Sequence, residues 1–280
     1  MMANPADLAR QILHLPSHER RLATAVFAQL VMDKRAAKPP VEKSAVDLAR
    51  AVDLEPDDWQ VEMLESTASR ILLNCSRQSG KSTVTAVLAL HTAIYQPESL
   101  VLLLSPSLRQ SQELFRKALD LYRSLGRPVA AETESALRLE LRNGSRIISL
   151  PGKNHTVRGF SGVSLLAIDE AAQVPDDLYF TVRPMLAVSG GRLVALSTPF
   201  GTRGWWYEAW RSMEPWERYE VPASSCPRIS AEFLEEERQA MGKWWFDQEY
   251  DCSFLDAETQ PFRREDVDRA FEEEVEAWQL

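Results

Sequence analysis

The stretch Ile71-Leu-Leu-Asn-Cys75-Ser-Arg-Gln-Ser-Gly80-Lys81-Ser82-Thr83-Val-Thr-Ala-Val-Leu88 decides the fold. Ile71–Asn74 is an apolar run of strand length, and Ser82–Tyr95 carries a helical pattern. Between them lies the phosphate-loop spacing GxxxxGK followed by Ser or Thr, with Cys75 standing where the first glycine belongs. What the chemistry needs is still present. Gly80 lets the backbone approach a phosphate. The successive N–H groups of Ser76, Arg77, Gln78 and Ser79, with the helix N-terminus, form an anion nest. Lys81 places a point charge on the β- and γ-phosphates, the Ser82 hydroxyl suits Mg²⁺, and Thr83 completes the motif. ATP and Mg²⁺ are therefore the expected cofactors.

Downstream, Leu165-Leu-Ala-Ile-Asp169-Glu170 reads as a buried strand ending in two acids. Asp169 can join the Mg²⁺ shell, and Glu170 can orient or activate an attacking water. The distance from Lys81 leaves room for a strand inserted between the two motifs. A third apolar run, Arg192–Ser197, leads into Ser197-Thr198-Pro199-Phe200-Gly201, where hydroxyls at a strand end can sense the γ-phosphate and move the following helix. Upstream, Leu54-Glu-Pro-Asp-Asp-Trp59-Gln60 offers an amide that can pair with adenine, with Trp59 packing nearby.

The rest of the chain fits around these motifs. Leu100–Ser105 reads as a strand and Gln110–Leu125 as a helix. Leu137–Leu141 and Arg146–Leu150 flank Asn143-Gly144, a tight hairpin turn. Pro175–Met185 and Gly204–Trp210 read as helices. Strands alternating with helices predict an α/β fold with a mostly parallel central sheet flanked by helices. Residues 4–32 show amphipathic helical spacing broken near Pro16, and Ala36–Pro40 reads as a linker. The chain after Ser230 is helical, charged and aromatic-rich, ending in the acidic stretch Arg263–Leu280. The expected organisation is a small helical N-terminal segment over 1–50, the α/β domain over 51–256, and an acidic linker or lid over 257–280.

Composition excludes several classes. The 280 residues are 45% hydrophobic and 26% charged, enough for a sizeable core and against wholesale disorder. No apolar run reaches the ~18 residues of a membrane span, and Asp7 and Arg10 interrupt what a signal peptide would keep apolar. Three widely spaced cysteines make neither a disulfide framework nor a zinc site and fit a reducing, cytoplasmic setting. The net charge of −9 excludes a basic wrapping protein but not nucleic acid, which needs only a local basic stripe.

In order, WQ, SRQSGKS, SPS, TVRGFSG, LLAIDEAA, STPFG and FDQEYDCSF resemble the ATPase part of the large terminase subunit, the DNA-packaging motor of tailed bacteriophages. The resemblance covers about residues 54–256 and includes the loss of the first loop glycine. It implies an additional-strand (ASCE) P-loop ATPase in a homo-oligomeric ring, a pentamer in the family. Such a ring drives double-stranded DNA into a procapsid in the host cytoplasm, with a portal protein and a small terminase subunit as partners. By matching motif, Lys81 and Ser82 bind phosphate and Mg²⁺, Asp169 joins the Mg²⁺ shell, and Glu170 is the catalytic base. Ser197 and Thr198 are the coupling residues, and Gln60 takes the adenine-reading position. Arg77 is the arginine inside the phosphate loop, and Arg158 of TVRGF matches a finger donated to the neighbouring subunit. The family generally continues into a two-metal nuclease domain. No strand-borne carboxylates for one are visible here, so nuclease activity is not expected. Two other readings are a helicase-like remodelling ATPase, against which no second recombinase-like domain is found, and a nucleotide-gated portal adaptor without turnover, against which Lys81, Asp169 and Glu170 are intact.

Overall fold

The strand before the phosphate-loop sequence forms as read. It is β1, Arg70–Cys75, with Ile71 and Leu73 buried on one face of a sheet and Leu72 on the other. The computed structural model describes residues 40–152, 157 and 159–256, with residues 16, 19, 20, 23 and 24. Apart from those isolated positions, the helical pattern over 4–32 and the acidic stretch over 257–280 lie outside the described residues. The chain divides into two units, Met1–Val41 and Glu42–Leu280, and the sheet with its helices belongs to the second.

Seven more strands complete the sheet: β2 (Leu100–Ser105), β3 (Ala131–Glu134), β4 (Arg138–Leu141), β5 (Arg146–Pro151), β6 (Leu165–Asp169), β7 (Arg192–Ser197) and β8 (Glu217–Val221). Their order is β3-β4-β5-β2-β6-β7-β1-β8. From β5 to β8 every neighbouring pair is parallel, and β3 and β4 add an antiparallel edge. The hairpin turns where expected: Gly144 takes φ +84°, which favours glycine, and Ser145 N–H donates to Asn143 Oδ1 at 3.0 Å.

The strand separating β1 from the acid-bearing β6 is β7, paired to both, although it follows them in the chain. The interval between the phosphate loop and the acid pair does hold inserted strands, β2 to β5, while the strand lying between β1 and β6 in the sheet comes from downstream.

Helices cover both faces because strand residues alternate in direction. On one face α1 (Ala45–Arg50), α2 (Asp58–Glu65), α3 (Lys81–Tyr95) and α4 (Leu108–Ser124) pack over Ile71, Leu73, Val101 and Leu103. The other carries α5 (Asp176–Val182) and α6 (Gly204–Arg211) over Leu72, Leu102, Leu104 and Leu166. Helix α7 (Ala231–Glu249) closes the described chain and breaks its helical geometry at Gly242, where φ is +78°. The composition shift near Leu54 puts residues 45–50 in the N-terminal segment, yet α1 is Ser44-capped and buries Ala45, Val46, Leu48 and Ala49 in the first core layer. No helix among the described residues is long and apolar enough to cross a membrane.

Candidate functional site

The phosphate-loop sequence turns between β1 and α3. Cys75 is still strand, paired with Val221, and Ser76 N–H extends that ladder by donating to Val221 O at 2.9 Å. A side chain is accommodated there, so no glycine is required at the first motif position. Gly80 is different. It caps α3 at φ +90°, and a Cβ on it would lie 2.7 Å from Gln60 Nε2. The loop is braced internally: Ser79 Oγ donates to Ser76 O at 3.0 Å and Lys81 Nζ to the same oxygen at 3.4 Å. Gln78 holds a left-handed backbone at φ +61°, a conformation uncommon outside glycine and concentrated at functional sites.

Across from the loop, β6 delivers the acid pair. Asp169 is buried, and burial first, then the neighbouring Glu170, pushes its carboxyl up to about 6, with Lys81 pulling the other way. Its Oδ1 accepts Glu170 N–H at 3.1 Å. Glu170 turns the chain at φ +49° into a 3-10 turn at Ala171–Gln173. Ser197 Oγ at the end of β7 accepts Ala172 N–H at 3.2 Å, so the end of β7 is tied to the segment that follows the acids. The tie continues beyond the sheet. Asp176 Oδ1 accepts Trp205 N–H at 2.8 Å, and Tyr179 of α5 stacks on Trp205 of α6 at 3.9 Å.

These parts enclose a polar cleft of about 560 Å³, lined among others by Arg77, Gln78, Gly80, Lys81, Ser82, Thr83, Glu170 and Thr198. Gln110 and Lys117 of α4, Gln173 and Arg228 also line it, and sequence reading missed all four. A second pocket of about 300 Å³ shares Gly80, Thr83 and Arg228 with the cleft and is walled by Leu54, Pro56, Gln60, Leu64, Val84 and Val87. Gln60 lines this smaller pocket, with its Oε1 accepting Asp57 N–H at 3.0 Å and its Nε2 donating to Ser79 O at 3.3 Å. Trp59 sits elsewhere: its ring packs against the core layer and lines neither space.

Arg77 ion-pairs with Glu249 at the end of α7, and its backbone N–H donates to Glu249 O at 3.0 Å. That pair raises the guanidinium pKa further. Glu249 lies inside the FDQEYDCSF motif, in which the sequence alone marks no role for it. The neighbouring Cys252 O accepts Asn74 Nδ2 at 2.9 Å, so the segment after α7 is anchored beneath the loop. Arg158 lies outside the described residues. Cys75, Cys226 and Cys252 are buried free thiols, and burial pushes Cys252 up to about 12.

Residues 72–269, more than half of the chain, match the model of a family described as the N-terminal part of the T4-like-virus-type terminase large subunit. Over 173 residues the chain is 27% identical to the large terminase subunit of Thermus virus P23-45, and over 174 residues 28% identical to that of Thermus phage G20c. Each match covers 55% of this chain and 36% of the relative, so the chain spans little more than a third of the length of the curated relatives it matches. Among solved structures, the ATPase domain of the Thermus phage P74-26 large terminase superposes with a TM-score of 0.67 at 22% identity, covering 78% of this chain and all of that one. The large terminase of a thermophilic bacteriophage in complex with ADP gives 0.61 at 11% identity, covering 71% of this chain and 54% of that one. At these identities the structural likeness speaks to the fold, an α/β P-loop ATPase.

Proposed function

We propose, from the premise that this chain belongs to the large terminase subunits of T4-like-virus type, that it hydrolyses ATP to drive double-stranded DNA into a viral procapsid. The observation that carries the proposal is the meeting of the phosphate loop with Glu170 and Thr198 around one polar cleft, Asp169 preceding Glu170 at the end of β6 and Ser197 bonded to Ala172. The cleft suits a magnesium nucleotide. Lys81 and Lys117 supply positive charge for phosphates, and the buried Asp169 carboxyl is held at a raised pKa that a cation would relieve.

In this reading the N–H groups of Gln78, Ser79 and Gly80 and the Lys81 ammonium bind the phosphates, those of Ser76 and Arg77 being already given to Val221 O and Glu249 O, while Ser82 and Asp169 would hold Mg²⁺. The metal's contribution is to neutralise phosphate charge. Glu170, which lines the cleft, orients and deprotonates the attacking water. Gln60 contacts adenine from the smaller pocket. Arg77 and Arg158 are the candidates for stabilising charge on the transferring phosphoryl group, Arg158 from a neighbouring subunit of a ring. Ser197 and Thr198 sense the γ-phosphate. The bond to Ala172 and the Tyr179–Trp205 stack then carry the change to α5 and α6. Portal protein and small terminase subunit are the proposed partners, and the host cytoplasm the setting.

Steady-state ATP hydrolysis, measured with and without double-stranded DNA, tests the proposal. Turnover that DNA stimulates supports a translocating motor. Nucleotide binding without turnover under either condition overturns it.

A further inference from the structure

Arg228 belongs to no motif read from the sequence. It lies in the turn between β8 and α7, and its guanidinium grips Asp57 with both arms, Nη1 to Oδ1 at 2.6 Å and Nη2 to Oδ2 at 2.7 Å. The same Nη2 donates to Ser79 O at 3.1 Å. Asp57 stands at the N-cap of α2, where its backbone N–H holds Gln60 Oε1, and Gln60 Nε2 donates to that same Ser79 oxygen. The four groups close a ring: Asp57, Arg228, the Ser79 carbonyl and Gln60. The ring wraps Gly80 closely, since a Cβ there would also come within 3.4 Å of Arg228 Nη2.

The ring acts on a peptide bond that matters. A trans peptide is planar, with its C=O and N–H pointing in opposite directions. Fixing the Ser79 oxygen with two donors therefore fixes the direction of the Gly80 N–H, one of the donors of the anion nest. A guanidinium fork suits this task because it holds two carboxylate oxygens and a carbonyl in one plane. We propose that Arg228, held by Asp57, is a positioning residue for the nucleotide: it orients the Ser79–Gly80 peptide and thereby sets the loop's affinity for the phosphates. The inference rests on the cleft being the nucleotide site.

ADP binding by calorimetry, with ATPase kinetics alongside, provides the test. Arg228→Ala should weaken ADP binding about tenfold, the loss of a charge-assisted hydrogen bond, and the loss should fall on KM more than on kcat. Arg228→Lys should not rescue it, because an ammonium cannot span both partners. Asp57→Ala should weaken binding similarly, and the Asp57→Ala/Arg228→Ala double variant should be no weaker than either single one, because both break the same ring. Wild-type affinity in Arg228→Ala, or additive losses in the double variant, overturns the proposal. If Arg228→Ala fails to fold, Arg228→Lys with a melting temperature near wild type decides by the same criterion. Lys81→Ala separates the two readings. A Lys81→Ala variant that binds ADP normally rejects the cleft as nucleotide site. A weakened Lys81→Ala beside a normal Arg228→Lys rejects only the role given to Arg228.

Discussion

Replacing Asp169 by Asn should make the metal-free protein more stable while ending hydrolysis. Burial and the adjacent Glu170 raise the Asp169 pKa from 3.8 to about 6 in the folded chain, whereas the unfolded chain keeps the ordinary value. Between those values the folded state binds more protons than the unfolded one. Stability therefore falls as pH rises through that window, and the full penalty stands above pH 6. The rise corresponds to about 3 kcal/mol at neutral pH. Asparagine removes the charge and keeps an oxygen for the Glu170 N–H, which Asp169 Oδ1 accepts at 3.1 Å. Urea unfolding in EDTA should show Asp169→Asn more stable by up to about 3 kcal/mol near pH 7.5, with about half of that gain left at pH 5. The same variant should lose magnesium-dependent ATP hydrolysis. Equal stability at pH 7.5, or a gain that does not shrink at pH 5, would refute the account of Asp169 as a charge the fold tolerates for its ligand.

Glu170→Gln should cut turnover by about 10²-fold or more with near-native ATP affinity; normal turnover removes Glu170 as the base. Gly80→Ala should lower stability by about 1–2 kcal/mol through left-handed strain alone, more because the new Cβ displaces Gln60, and a thermal melt matching wild type contradicts this. Arg158→Ala subunits mixed with Lys81→Ala subunits should recover ATPase activity that neither has alone, since a finger acting between subunits is worth about 10³-fold or more. No recovery on mixing points instead to a DNA contact for Arg158. Plasmid DNA is expected to survive incubation with the chain and Mn²⁺, since the sequence reading finds no strand-borne carboxylates for a two-metal site. Nicking that disappears when carboxylates of Arg263–Leu280 are mutated reverses that expectation.

The parts of the site that chemistry demands in consecutive residues were legible in the sequence. The loop, the acid pair and the β7 hydroxyls each need a strand and the residues just after it, so local apolar runs located them. Of the strands those runs mark, β6 and β7 match the sequence reading residue for residue, and β1 runs one residue further at each end. Edge strands were not legible. β8 reads Glu-Arg-Tyr-Glu-Val with only Val221 fully buried, and β3 reads Ala-Glu-Thr-Glu, so neither has the apolar run that signals a strand. Support from distant elements was equally hidden. Arg228 and Lys117 come to the cleft from a turn and from α4, Glu249 reaches Arg77 from the end of α7, and nothing in their local sequence marks what they approach. Trp59 shows the reverse error, since adjacency to Gln60 suggested a shared task. On a helix successive residues point about 100° apart, which sends Trp59 to the core while Gln60 faces the pocket.

The order in which a ribosome releases this chain bears on when it can hold a ligand. Among the described residues β1 pairs with β7 and β8, both of which emerge much later, and Asn74 waits for Cys252, 178 positions further along. Contacts of such long range form late, after the loop-closure entropy has been overcome. A nascent chain that has exposed Gly80 and Lys81 still lacks the strands that flatten the loop's base and the Arg228 turn that aims its peptide. A nucleotide held as proposed would therefore stabilise the finished chain and not the growing one.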